Sequence, residues 1–407
     1  MTYKELVTKI ESMRRFGKKS GFEVSTELLK KLNYPEESFD VIHIAGTNGK
    51  GSTAAFISSI LKCSDKRVGL FTSPHLITFR ERIQINGEMI SEEDVLRLGT
   101  YVLETVEQMT LEATMFDITM AIALLYFKEQ GVEVAVLETG LGGGKDSTRA
   151  LSTVPKVSVI TNIGFDHTAV LGNTIEEIAK NKADIIRPGT SVVIADMDEA
   201  ARHVMRKRCE ELNVPFVCAD SVELPKDVTL GLLGAYQTEN AKNAVAAVEM
   251  YLQNGLKPEA KQKNTFIAKG LEEARWPGRM DVVSKAPFVL VDGAHNPQGV
   301  SALKRSLEEL YPDEKFVFVV GVLADKDYDS MMEEMVPLAK EFVCVTVESD
   351  RALQAKDLAA YLNSLGAKAC AKEGIKEAFD FALSNVTNEK IVAFGSLYFV
   401  GDVLQYF

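Results

Sequence analysis

The residues best placed to do chemistry stand together in Gly46-Thr47-Asn48-Gly49-Lys50-Gly51-Ser52, directly behind the apolar run Val41-Ile42-His43-Ile44-Ala45. Glycines let backbone N–H groups approach phosphate oxygens closely, and a helix starting at such a turn adds its positive end. Lys50 then lies on the terminal phosphates and the Ser52 hydroxyl near Mg2+. The fit to the general phosphate loop is partial. That loop has more residues between its glycines and sets its hydroxyl directly after the lysine, whereas Gly51 intervenes here. A plain glycine turn between strand and helix is the other reading, but the flanking apolar patterns favour a nucleotide phosphate.

Other polar residues follow apolar runs in the same way. Thr72-Ser73-Pro74-His75 closes the run at 68–71, where open α/β sheets bind ligands, although the same residues also form turns. Glu138 ends the nearly continuous apolar run 132–137 and opens a glycine loop. A carboxylate in that position meets Mg2+ directly or through water, and Asp146 is a second acidic candidate. His167, one of five histidines, follows Asp166 beyond the run 157–160. It is either a metal ligand or a structural residue, and Lys180 and Lys182 are either solvated or part of the site. Asp292-Gly293-Ala294-His295-Asn296-Pro297 again sets polar residues behind an apolar run.

Positioning these residues takes strands that alternate with helices. Runs at 41–45, 68–71, 132–137, 157–160, 192–195 and 217–219 read as strands. Segments 2–16, 25–32, 53–62, 91–109, 115–130, 174–186, 197–212 and 236–254 read as helices. Asn86-Gly87 inside 80–90 signals a hairpin. The alternation predicts an α/β fold, a doubly wound and mostly parallel sheet. Arg275-Trp276-Pro277-Gly278-Arg279 interrupts it. A second set of strands at 288–292, 316–322, 342–347 and 391–394 then predicts a smaller α/β domain. The division expected is 1–284 and 285–407.

Bulk properties narrow the class. A chain of 407 residues with 46% hydrophobic and 26% charged residues has the composition of a globular protein with sizeable cores. A net charge of -12 argues against a sequence-independent grip on nucleic acid. No run approaches a membrane span. Cys63, Cys209, Cys218, Cys344 and Cys370 show no metal or redox spacing, and with no secretory leader they point to the cytoplasm.

In order and spacing, these motifs resemble the folylpolyglutamate synthase/dihydrofolate synthase family of the Mur-ligase superfamily over nearly the whole chain. The resemblance rests on 46–52, Thr72-Ser73-Pro74-His75, Phe79-Arg80-Glu81-Arg82, Glu138 with its glycines, Asp166-His167 and Lys182-Ala183-Asp184-Ile185-Ile186. It continues through Gln237 with Asn240, Trp276-Pro277-Gly278-Arg279, 292–297, 321–327 and Gly395-Ser396-Leu397-Tyr398. It implies a P-loop-type ATP-binding domain followed by a Rossmann-like ligase domain. Thr47, Asn48, Gly49, Lys50, Gly51 and Ser52 would hold the phosphates of ATP, with Asn240, Arg279 and Asp292 as further nucleotide contacts. Ser52, Ser73, Glu138, His167 and a carbamylated Lys182 would hold two Mg2+ ions. Lys50, Lys182 and His295 take catalytic roles, and Ser396 and Asp117 substrate contacts.

The implied reaction is ATP-dependent amide ligation. A folate γ-carboxylate forms an acyl phosphate, which the amine of L-glutamate attacks; dihydropteroate is a further acceptor. The implied partners are these small molecules, and the implied state is a monomer. Gly144 and Arg149 stand where many relatives carry Arg and Asn, Asn181 and Asp184 where Glu and Gly are common, and Asp117 where Glu is frequent. The Gly144, Arg149 and Asp184 departures motivate one alternative, a non-catalytic ATP- or folate-binding paralogue. The other alternative is a peptidoglycan-building Mur ligase. Those enzymes commonly have an extra N-terminal domain, for which the 45 residues before the loop leave no room.

Overall fold

The computed structural model describes residues 1–13, 22–253, 259–386 and 389–407. Its contacts divide into two compact units, Met1–Gly231 with Glu239–Arg275, and Leu232–Thr238 with Trp276–Phe407.

The first unit is built on β1 (Asp40–Ala45), β2 (Val68–Phe71), β3 (Ile83–Ile85), β4 (Glu88–Met89), β5 (Val134–Glu138), β6 (Val157–Ile160), β7 (Ser191–Ile194) and β8 (Phe216–Cys218). These form one eight-stranded sheet in the order β4-β3-β2-β5-β1-β6-β7-β8. All neighbours from β2 to β8 in that order are parallel, and only the hairpin strands β3 and β4 run antiparallel. The central strands are buried along their length, as β-branched runs must be when helices cover both faces. At the hairpin turn Asn86 and Gly87 adopt φ of 51° and 86°, the left-handed pair that Asn-Gly favours. Helix Lys50–Cys63 buries Phe56, Ile57, Ile60 and Leu61. It packs on helix Ala260–Glu273 so closely that a Cβ on Gly270 would run into the backbone of Ile60.

The second unit carries β9 (Asp281–Lys285), β10 (Phe288–Val291), β11 (Phe316–Val320), β12 (Ala339–Val345), β13 (Ala369–Lys372) and β14 (Lys390–Phe394), ordered β13-β12-β11-β14-β10-β9. Only β9 is antiparallel to its neighbour.

The α/β alternation expected from the sequence is present, with shifted ends. Helix 2–16 is Tyr3–Ser12, started by a Thr2/Glu5 capping box; residues 14–16 lie outside the described residues. Helix 236–254 is Gln237–Gln253: Tyr236 precedes it, and Asn254 likewise lies outside the described residues. Helix 174–186 stops at Ala183. The run 132–137 shifts to Val134–Glu138, so Glu138 is the last strand residue. Strands β9 and β13 were not expected, because their residues are half-buried rather than apolar runs. The boundary drawn at 284/285 falls inside β9, which is hydrogen-bonded to β10; the compact units part after Arg275. Among the described residues no helix is long and apolar enough to cross a membrane.

Candidate active site

Parallel pairing gathers the strand tips. Ile44 pairs with Glu138, Ala45 with Ile160 and Phe71 with Leu137, so residues 46–52, 72–75, 139–146 and 161–167 leave the sheet along one edge. This carboxyl edge is where open α/β sheets bind ligands.

The phosphate loop is braced from β6. Thr47 N donates to Asn162 O at 2.8 Å and Asn48 N to Asn162 Oδ1 at 2.9 Å. Thr47 Oγ1 donates to Gly164 O at 3.1 Å and accepts from Gly164 N at 3.0 Å, while Thr161 Oγ1 donates to Asn48 O at 2.8 Å. Gly49 has a φ of 84°, and a Cβ there would collide with Asn240 Oδ1, so only glycine fits. Gly49 starts helix Lys50–Cys63 without a side-chain cap, which leaves the helix's positive end to the loop. Asn240 is thus placed against this loop. Ser52 is buried in the first turn.

Three charged groups converge behind the loop. Lys50 Nζ donates to Gly46 O at 3.2 Å and Thr47 O at 3.1 Å, and lies 3.9 Å from Glu138 Oε1. Lys182 Nζ donates to Gly46 O at 2.6 Å and is only 3% exposed. Burial, reinforced by the Lys50 charge, pulls the Lys182 ammonium down to about 7. Glu138 Oε2 accepts from Ser73 N at 3.1 Å, which draws Ser73 to the same spot. The Thr139 hydroxyl, buried next in sequence, has no hydrogen-bond partner among the described residues.

His167 is held differently. It adopts a φ of 50° as the cap of helix Thr168–Leu171, and its Nε2 lies 3.8 Å from Asp166 Oδ1. Among the described residues, no three His, Cys, Asp or Glu side chains form a group able to hold a metal ion. The Glu138 carboxylate, held by Ser73 N, is a hard oxygen donor. That chemistry fits Mg2+, which takes one or two carboxylates and completes its shell with water and phosphate oxygens.

Asp117 is buried, and its carboxylate accepts from Ser25 Oγ, from Ser147 Oγ at 2.6 Å, and from Thr114 N and Oγ1 at 2.8 and 2.6 Å. It ties helix Glu23–Lys31, the start of helix Met115–Glu129 and the segment after the glycine loop into one knot. The other four of the five positions noted as departures also converge. Gly144 N donates to Asn181 O at 2.9 Å, a Cβ on Gly144 would meet Asp184 Cβ at 2.8 Å, and Arg149 Nε donates to Asp184 O at 2.9 Å.

In the second unit, Asp292 is buried and accepts from Tyr236 Oη at 2.8 Å, Met280 N at 2.9 Å and Ala294 N at 2.8 Å. Burial raises its pKa. The Arg279 guanidinium packs on Gly293, and His295 Nδ1 donates to Gly293 O at 2.7 Å, which leaves Nε2 as the acceptor nitrogen. Ser396 caps helix Leu397–Tyr406 beyond β14, the parallel neighbour of β10.

Asn162, Thr161 and His43 were not singled out from the sequence. Asn162 lies between the run 157–160 and Asp166, and a side chain that braces another loop leaves no pattern of its own. His43 lies inside an apolar run and reads there as strand.

The family description "Mur ligase middle domain" matches residues 44–221, and "Mur ligase, glutamate ligase domain" matches residues 278–396. The chain is 35% identical to the dihydrofolate synthase/folylpolyglutamate synthase of Bacillus subtilis (strain 168), over 98% of each sequence. Its fold matches a Mycobacterium tuberculosis folylpolyglutamate synthase complexed with ADP at a TM-score of 0.91 and 28% identity, covering 99% of this chain and 98% of that one. An FPGS-AMPPCP-folate complex matches at a TM-score of 0.87 and 31% identity, over 100% of this chain and 99% of the other. With the phosphate loop, Glu138 and Lys182 assembled at one sheet edge and full-length similarity on both sides of it, the chain belongs to the folylpolyglutamate synthase/dihydrofolate synthase family of the Mur ligases.

Proposed function

We propose that this protein joins L-glutamate to the γ-carboxylate of a folate glutamate at the expense of ATP, and that dihydropteroate is accepted in the same way. The convergence of Lys50, Lys182 and Glu138 on the opening of the phosphate loop carries this reading. The loop amides and Lys50 hold the phosphates of ATP and spread the negative charge that builds during transfer. The acceptor carboxylate attacks the γ-phosphorus, ADP leaves, and an acyl phosphate remains. The glutamate amine then attacks the acyl carbon, an amide forms, and phosphate departs. His295 Nε2, the acceptor nitrogen of its ring, is assigned the proton lost by that amine.

Glu138, with Ser73 and Ser52, would hold Mg2+, and His167 and Lys182 complete the set for two ions. Bound there, Mg2+ neutralises phosphate charge and polarises the transferred group. Lys182 joins the set as a carbamate: its neutral amine bonds to the carbon of CO2 and releases one proton to solvent, leaving an anionic oxygen ligand. The low pKa of Lys182 supports this by populating the neutral amine. Arg279, Asp292 and Asn240 are assigned to the nucleotide, with Asp292 acting through the Met280 and Ala294 amides it holds. Ser396 and Asp117 are assigned to substrate, Asp117 by holding the segments it ties together.

The test is ADP release with tetrahydrofolate or dihydropteroate, with and without L-glutamate, and the product mass. Glutamate-dependent ADP release with a product heavier by one glutamyl unit supports the reading. ADP release indifferent to both substrates sinks it.

A further inference from the structure

We propose that His43 is a positioning residue for this ligase: through Thr148 and Asp146 it fixes the glycine loop that runs from Glu138 to Lys182. The inference rests on the ligase reading above.

His43 is 1% exposed in the middle of β1, and its Nε2 lies 2.7 Å from Thr148 Oγ1. Thr148 Oγ1 lies 2.5 Å from Asp146 Oδ1, which also accepts from Thr148 N at 3.0 Å. Asp146 Oδ2 accepts from Leu141 N at 2.8 Å, and Gly140 N bonds the same carboxylate. Burial raises the Asp146 pKa, but the Thr148 hydroxyl and three backbone N–H groups are all directed at its oxygens, so the carboxylate accepts. The single Thr148 proton therefore goes to Asp146, and His43 Nε2–H donates to Thr148. Burial keeps the imidazole neutral, at about 3, with Arg149 and Arg187 adding to the effect. The bonds from His43 and Thr148 on one side and from the Gly140 and Leu141 amides on the other thus converge on the Asp146 carboxylate, which ties the strand that ends in the phosphate loop to the first two amides after Thr139.

The far side of the loop is clamped as well. Gly144 N donates to Asn181 O, and a Cβ on Gly143 would stand 2.8 Å from Asn181 O and 2.9 Å from Lys182 O. The loop is therefore held between Glu138, where it begins, and the backbone of Asn181 and Lys182, against which Gly143 and Gly144 pack. His43 acts on both residues through this bridge. Groups that orient metal-binding side chains in this indirect way are typically worth about 10- to 100-fold in metal affinity or activity.

The decisive pair is Thr148→Val and Thr148→Ser. Valine keeps the volume and removes the hydroxyl, whereas serine keeps the hydroxyl. Binding of a non-hydrolysable ATP analogue is followed by calorimetry while Mg2+ is titrated, alongside turnover and thermal unfolding. Thr148→Val is expected to remain folded, to need about tenfold more Mg2+ for analogue binding, and to leave Mg2+-independent binding unchanged. Thr148→Ser returns the Mg2+ requirement to near wild type. A folded Thr148→Val with wild-type Mg2+ dependence overturns the proposal, as does a Thr148→Ser impaired equally. If Thr148→Val does not fold, His43→Phe against His43→Gln decides on the same titration, because glutamine keeps an N–H donor at similar reach. Failure of the ligase reading would appear separately, as wild-type protein without glutamate-dependent ADP release.

Discussion

The side-chain nitrogen of Lys182 lies 2.6 Å from the carbonyl oxygen of Gly46, the same oxygen that receives Lys50 at 3.2 Å. Two ammonium groups on one carbonyl, one of them buried, repel each other in a medium that screens charge poorly. Converting Lys182 to an anionic carbamate removes that repulsion. Lys182→Arg keeps the cation and cannot form the carbamate. It is expected to lose ligation by about 100-fold or more, the scale of several kcal/mol of lost charge stabilisation. Wild-type turnover should also fall in carbonate-free buffer and recover with bicarbonate. An arginine variant as active as wild type would remove the carbamate from the mechanism.

The same lysine makes a stability prediction with a definite sign. Its folded pKa, about 7, lies below its ordinary value of 10.5. Between these two values the unfolded chain holds a proton that the folded chain lacks, so stability rises with pH across that window. Below about 7 both states are protonated and the full cost of the buried ammonium applies. Lys182→Met should therefore be more stable than wild type at pH 6, by a margin that shrinks as pH rises towards 10. Urea unfolding in carbonate-free buffer at several pH values reads this margin; one independent of pH would contradict it.

Glu138→Gln keeps the shape of the side chain and removes its charge. It should fold normally, since Gln still accepts from Ser73 N, yet lose about 100-fold or more in ADP formation. Circular dichroism and a coupled ADP assay separate the two effects. Retained turnover would take Glu138 out of the metal site.

Gly49→Ala meets two obstacles together, a φ of 84° and the Asn240 side chain. The left-handed backbone alone costs about 1 to 2 kcal/mol for a residue with a Cβ. Nucleotide affinity should fall with stability, because the strained residue is the one that opens the helix. Alanine at 49 with unchanged nucleotide affinity would show that the loop tolerates a different turn.

Asp117→Ala removes the carboxylate half of the Thr114/Asp117 capping box of helix Met115–Glu129 and strands the hydroxyls of Ser25 and Ser147. The expected loss is about 2 to 4 kcal/mol of unfolding free energy. A loss below 1 kcal/mol in urea unfolding would contradict the knot.

Much of this arrangement was readable from letters because it rests on runs and tips. Residues 132–138 read as strand and carboxylate since continuous apolar residues suit only a doubly covered strand. Asn86-Gly87 read as a turn because those two residues tolerate positive φ. What stayed hidden depends on partners distant in sequence. Thr148 lies 105 positions from His43, and no periodicity couples them. Edge strands β9 and β13 were missed because a strand paired on one side needs no apolar run. Asp117 was read by resemblance as a substrate contact, and only the folded structure shows what its oxygens hold.

Strand β1 lies between β5 and β6, deep within the order of its sheet, whereas β4 and β8 form the margins. Amide protons exchange with solvent only when their hydrogen bonds open, and marginal strands open at lower free energy than central ones. The amides of 41–45 should thus be among the slowest to take up deuterium, long after those of 88–89 and 216–218. The phosphate loop hangs from the strand that opens last, so partial unfolding can loosen the margins of the sheet while the nucleotide's anchorage persists.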